Sequence, residues 1–234
     1  MKLHFPRALW IPFLVVLLSL PAAAFIPNPS FMLGKLVQQR GKMGYRRLQV
    51  TMTCADGAGE HAETLYLKVP GLVRRERGSG VIDICRRGQC RRKAPGGGIE
   101  RLPDWSYLPY LFFVEMDANT SRYLGLLKSL GVDLAVDTIA RFHSRIAVVY
   151  GAKHWERDRP QFWMDKDDFL PLRLMFLKGK QMVDIQWVEW GSREAGNWFP
   201  SRIELHLDGR QVDKCTVSGV KSGMDMPDSL FKLE

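Results

Sequence analysis

Arg202-Ile203-Glu204-Leu205-His206-Leu207-Asp208-Gly209-Arg210-Gln211-Val212 is the stretch that decides the architecture. Ile203, Leu205 and Leu207 alternate with Arg202, Glu204, His206 and Asp208, a period of two that gives a strand one apolar and one polar face. Asp208-Gly209 is a strong hairpin signal. Val212 to Val220 reads as the return arm. Consecutive strands joined by tight turns make an antiparallel meander, which tolerates one wet face.

The same period extends upstream. Ile146 to Ala152, Gln161 to Met164, Leu170 to Leu177 and Met182 to Trp190 read as strands, the middle two turning around Asp165-Lys166-Asp167-Asp168. In the first half, Leu48, Val50, Met52 and Cys54 alternate with polar residues. Glu63–Val69, Leu72–Arg77, Val81–Arg86 and Cys90–Lys93 follow between Gly-rich turns. Pro95-Gly96-Gly97-Gly98 is a flexible break. Helical signals fall elsewhere. Ser30 can cap a helix running through Arg40 with Gly41 as its stop. Asn119 or Thr120 can cap one holding Tyr123, Leu124, Leu127 and Leu130, closed by Gly131. Leu108 to Met116 fits helix or strand, and Asp133 to Phe142 is expected as a second short helix. Leu230 to Leu233 is expected as a terminal strand. The fold class is therefore α+β: a large curved antiparallel sheet with helices covering its apolar face.

Lys2, His4 and Arg7, the apolar run Ala8 to Leu20, Pro21 and Ala22-Ala23-Ala24 form the basic, apolar and small-residue parts of a cleavable export signal, residues 1–24. The run is about 13 residues, short of the roughly 20 a spanning helix needs. Residues 25–234 are then the mature chain, expected as one domain. Loss of Lys2 and Arg7 lowers the formal charge from +9 to +7. In an exported protein such a balance points to anionic head groups or acidic protein partners and away from nucleic acid. An even four cysteines favour disulfides in that compartment. Cys85 and Cys90 flank a tight turn and can approach each other, which leaves Cys54 with Cys215.

Motifs for chemistry are few. G-x-S-x-G, H-E-x-x-H and P-loop patterns are absent. Ser218-Gly219-Val220-Lys221 matches S-x-x-K but lies on a strand, without companion motifs. The histidines lack ligand spacing, and Asp165, Asp167 and Asp168 lack the rest of a calcium loop. No metal or cofactor is expected. Arg74, Arg75, Arg77, Arg86, Arg87, Arg91, Arg92, Lys93 and Arg101 crowd adjacent hairpins, either as a solvated edge or as a docking patch. Trp163, Trp187, Trp190 and Trp198 read as core packing before they read as a cavity wall.

Val148-Val149-Tyr150-Gly151-Ala152, Phe162-Trp163-Met164-Asp165, Leu170-Pro171-Leu172-Arg173-Leu174, Phe199-Pro200-Ser201-Arg202-Ile203-Glu204 and Met226-Pro227-Asp228-Ser229-Leu230-Phe231 together resemble the outer-membrane lipoprotein-sorting (LolA-like) superfamily in order and spacing. The resemblance covers about residues 144–234; the first half agrees in element order alone. It implies an unclosed antiparallel β-barrel with a helical lid over an apolar cavity. It further implies a monomeric periplasmic carrier of lipid or lipoprotein acyl chains, with an inner-membrane transporter and an outer-membrane acceptor as partners. The missing lipidation cysteine fits a soluble carrier. The cysteines and the arginine cluster depart from the best-known carrier, so its cargo does not transfer.

On this basis the cavity residues expected are Leu48, Val50, Met52, Leu65, Leu67, Leu124, Leu127, Leu172, Leu174, Ile203 and Leu205. Partner or head-group docking is expected at Arg74, Arg75, Arg86, Arg87, Arg91 and Arg92. An envelope-stress sensor of the same fold, or a hydrolase with an unrecognised site, are the competing functions.

Overall fold

The computed structural model describes residues 26–43, 46–86, 88–114 and 120–233. The export signal, Arg87 and the capping role of Asn119 lie outside the described residues. Helix α1 (Pro29–Met43) precedes β1 (Arg47–Asp56), β2 (Gly59–Lys68), β3 (Leu72–Arg77), β4 (Ile82–Arg86), β5 (Gln89–Lys93) and β6 (Ile99–Arg101). A 3-10 turn (Asp104–Tyr110), a short α2 (Leu111–Val114) and α3 (Thr120–Ser129) follow. The second run is β7 (Asp137–Phe142), β8 (Arg145–Tyr150), β9 (Gln161–Asp165), β10 (Pro171–Lys178), β11 (Gln181–Trp190), β12 (Pro200–Leu207) and β13 (Arg210–Ser222), ending in a 3-10 turn at Asp228–Phe231.

All thirteen strands lie in one sheet, ordered β6-β5-β4-β3-β2-β1-β13-β12-β11-β10-β9-β8-β7. Neighbours are consecutive in sequence except β1 and β13, whose pairing fuses two meanders. The edges β6 and β7 do not meet, so the barrel stays open. The chain between them must cross the sheet, and it crosses on the apolar, concave side. The Trp187 indole N–H donates to the Pro109 carbonyl at 2.8 Å. The Gly71 N–H donates to the Val114 carbonyl at 2.9 Å.

The period of two does what the sequence requires. Leu48, Val50, Met52 and Cys54 are buried while Thr51 and Thr53 face out. The Asp208-Gly209 turn has positive φ at both residues, 50° and 78°, which matches the right-handed twist of its arms. Both expected disulfides are present, Cys54–Cys215 across β1 and β13 and Cys85–Cys90 across β4 and β5. Each joins residues directly opposite in the ladder. They fit an oxidising compartment.

Four expectations are corrected. The N-cap of α1 is Asn28, whose side-chain oxygen accepts the Phe31 N–H at 2.8 Å; Pro29 then occupies the first helical position, where its missing N–H costs nothing. Asp137–Phe142, expected inside a helix, is strand β7, paired residue by residue with β8. The Asp133 carboxylate accepts the Ala135 N–H at 3.1 Å, which closes a turn there, and β-branched Thr138 and Ile139 suit the strand that follows. Residues 99–101 form a sixth strand beyond the Gly-rich break. Finally, Leu230–Leu233 is no strand. Phe231 is buried with Ile84 and Met226 in a small cluster apart from the main core, so burying these side chains wins over extending an edge.

Candidate functional site

Beneath the helices the concave side is full. Phe112 of α2 stacks on Phe162 and Tyr123, with ring centres 5.3 and 5.7 Å apart, and meets Trp187 edge-on at 5.4 Å. Leu48, Val50, Met52, Leu65, Leu67, Leu127, Leu172 and Leu174 are buried in this continuous core, and Leu124 packs against its rim. Trp163, Trp187, Trp190 and Trp198 belong to it as well.

The filling stops on one side. A cavity of about 290 Å³ opens between the 3-10 turn and strands β3, β4, β12 and β13. Ile203, Leu205 and Leu207, the apolar face of β12, form one wall, with Leu102, Trp105 and Pro109 opposite. Of the eleven cavity residues expected from sequence, Ile203 and Leu205 line it. Leu207 shares their period and was legible by that signal. Trp105 and Tyr110 carried no periodic signal, because an irregular segment places them. A second cavity of about 470 Å³ lies between α3, the same turn and β10, lined by Leu126, Leu130, Phe176 and Leu177. Trp105 lines both cavities.

The far end of the first cavity is ionic. Arg75, 13% exposed, donates to the fully buried Glu63 and, at 2.8 Å, to Asp213. Burial by itself would depress its pKa, but the carboxylates of Glu63 and Asp213, with the Glu63 hydrogen bond, hold it well above the ordinary value. Arg77 approaches Glu63 and Asp56 at 3.4 and 3.5 Å. His61 Nε2 lies 2.8 Å from Glu63. Arg92 forks onto Asp83 at 2.6 and 2.9 Å. Burial raises the Tyr110 pKa, so its phenol stays neutral. Each of these arginines is matched by an acid, so the cavity offers a polar end with no spare cation. Cys54, Glu63 and Cys215 cluster within metal-ligand reach, but both sulfurs are held in the disulfide and no thiolate is available.

The arginine cluster is divided by the sheet. Arg75 and Arg92 face the cavity. Arg74 points to the outer face, donating to Glu76 and, at 2.7 Å, to the Leu230 carbonyl. Arg86 and Arg91 are exposed on that outer face beside Phe231 and Leu233. Ser218 of the S-x-x-K match spends its hydroxyl on Thr51, at 3.2 Å to the carbonyl. Asp165, at the turn between β9 and β10, is buried; it accepts the Asp167 and Asp168 N–H groups and pairs with Arg145 at 2.9 Å.

An open antiparallel half-barrel with a helical lid and a cavity under its edge is the LolA-like fold, and this chain has it. The crystal structure of a LolA superfamily protein from Nitrosomonas europaea matches at TM-score 0.53 and 12% identity, over 89% of this chain and 99% of that one. A DUF1329 family protein from Desulfovibrio piger matches at 0.53 and 12%, over 88% and 98%. A domain described as outer membrane lipoprotein-sorting, from Vibrio parahaemolyticus, matches at 0.51 and 10%, over 86% and 97%. No family model and no curated protein sequence matches the chain.

Proposed function

We propose that this protein is a periplasmic carrier, not an enzyme, that takes an acyl chain of a lipid or lipoprotein into the concave side and passes it toward the outer membrane. The observation that carries this reading is the pair of cavities that share Trp105 as a wall, one of them backed by the apolar face of β12. The first sits near the lower end of the roughly 300–1,000 Å³ usual for small-molecule sites. Rotation of Trp105 joins it to the second and lengthens the space along the tail. The lid that holds Trp105 is a 3-10 turn, which opens more cheaply than a strand. Leu48, Val50, Met52, Leu65, Leu67, Leu124, Leu127, Leu172 and Leu174 belong to or pack against the filled core behind this space and line neither cavity.

A carrier needs little chemistry. Each methylene is worth about 0.8 kcal/mol against water, and moving a tail from bilayer to cavity exchanges one apolar medium for another. The transfer is close to neutral, so docking to an inner-membrane transporter and an outer-membrane acceptor sets its direction. Because Arg75, Arg77 and Arg92 are already matched by acids, the cargo's charged head stays at the mouth. Titration with a fluorescent fatty-acyl probe tests this. Saturable binding is expected. Leu205→Glu should weaken it about ten-fold or more by placing a carboxylate against the tail. Absence of saturable binding in the native chain would overturn the reading.

A further inference from the structure

The outer face of the same sheet carries a second feature, apart from the cavities. Under the C-terminal 3-10 turn an open groove of about 960 Å³ runs over β2 to β6. Its floor is apolar: Leu72, Ile84, Phe231 and Leu233, with Ile99 standing 49% exposed on edge strand β6. Its rim is cationic. Lys68 is engaged by Asp228 at 2.6 Å and by the Met226 carbonyl. Arg86, Arg91 and Lys232 are exposed and none makes a close salt bridge among the described residues; Asp228, already hydrogen-bonded to Lys68, is the one carboxylate on this rim and feels the charges of Arg86 and Lys232. The Cys85–Cys90 bond fixes the hairpin carrying Arg86 and Arg91, so these cations are held in place before any partner arrives.

We propose that this groove docks an extended, acidic and apolar-alternating segment of a partner protein, whose carboxylates meet Arg86, Arg91 and Lys232 while its apolar side chains settle on Leu72, Ile84 and Phe231. Charge complementarity selects the acidic partner. The apolar floor lies behind the cationic rim, so the flat head-group layer of a bilayer would reach the rim and leave the floor empty. An extended peptide lying across the face reaches both. Being on the face opposite the cavities, this docking leaves the cargo site accessible.

The probe is a fluorescein-labelled octapeptide alternating Glu and Leu, read by anisotropy against the full mature chain. Saturable binding is expected, weakened by salt and reduced about ten-fold or more by the double variant Arg86→Glu with Arg91→Glu. The counterpart alternating Lys and Leu should not bind. Fatty-acyl probe uptake should be unchanged in the double variant, which separates this proposal from the carrier reading and shows that the variant is folded. Binding of phosphatidylglycerol vesicles without peptide binding, or peptide binding indifferent to both substitutions, would overturn it.

Discussion

The guanidinium carbon of Arg40 lies 4.5 Å from the centre of the Phe113 ring. Trp198 and Trp190 stand around it at 5.2 and 5.8 Å. Its two terminal nitrogens are buried without a hydrogen-bond partner among the described residues. Burial lowers its pKa to about 10. A cation so placed is stabilised by the aromatic faces, but its lost hydration outweighs them.

Arg40→Met should therefore leave stability unchanged or raise it by up to about 2 kcal/mol. The pH dependence has a definite sign. From pH 10 up to the ordinary arginine range the unfolded chain holds a proton that the folded chain has released, so this group makes stability rise as pH climbs past 10. Below pH 10 its cost is full and constant. The difference between native and variant unfolding curves should shrink from pH 10 upward. A variant losing more than about 1 kcal/mol at neutral pH would show that Arg40 is needed as a cation.

The two disulfides should differ in worth. Cys54–Cys215 spans 161 residues and Cys85–Cys90 spans 5. On loop-closure entropy, replacing both cysteines of the first pair with alanine costs about 5 kcal/mol and of the second about 2 kcal/mol. Urea unfolding of the two double variants decides it. Equal losses would mean that native packing, not chain entropy, sets their value.

Glu63 is fully buried and touches Arg75, Arg77 and His61. Glu63→Gln keeps its shape and removes its charge, leaving Arg75 with Asp213 alone. The expected loss is about 3–5 kcal/mol, the cost of an under-compensated buried cation, seen as a lower denaturation midpoint. Glu63→Gln together with Arg75→Met should recover much of it. No recovery would mean that the pair is not coupled.

Asp228 is held below the ordinary carboxylate range, first by the hydrogen bond from Lys68 and then by its charge. The native state therefore gains from ionised Asp228 above the unfolded pKa of 3.8, and loses that gain as pH falls below it. Protection of the amides in the 3-10 turn of residues 228–231, taken relative to the intrinsic exchange rate at each pH, should fall on acidification through this window. In Asp228→Asn that protection should be low both above and below this window. An acid response that persists in the variant would place the trigger elsewhere.

What sequence alone determined about this protein was local in origin. Side chains on a strand alternate by backbone geometry, so Leu48, Val50, Met52 and Cys54 declared a buried face, as did Ile203, Leu205 and Leu207, and the turn chemistry of Asp208-Gly209 fixed how the last arms fold back. Both disulfides were within reach of the same logic. The separation of Arg74 from Arg75 is equally a matter of alternation, although which face each would take was not. Tertiary structure decided the rest. Whether space remains under a lid depends on volumes contributed by α2, β9, β11 and β12, far apart in sequence, and Phe112 fills one region while Trp105 borders two open ones. Residues 137–142 became a strand because β8 offered them an edge, and Phe231 left the ladder because Ile84 offered it burial. Such outcomes are sums over distant neighbours, and no window along the chain contains them.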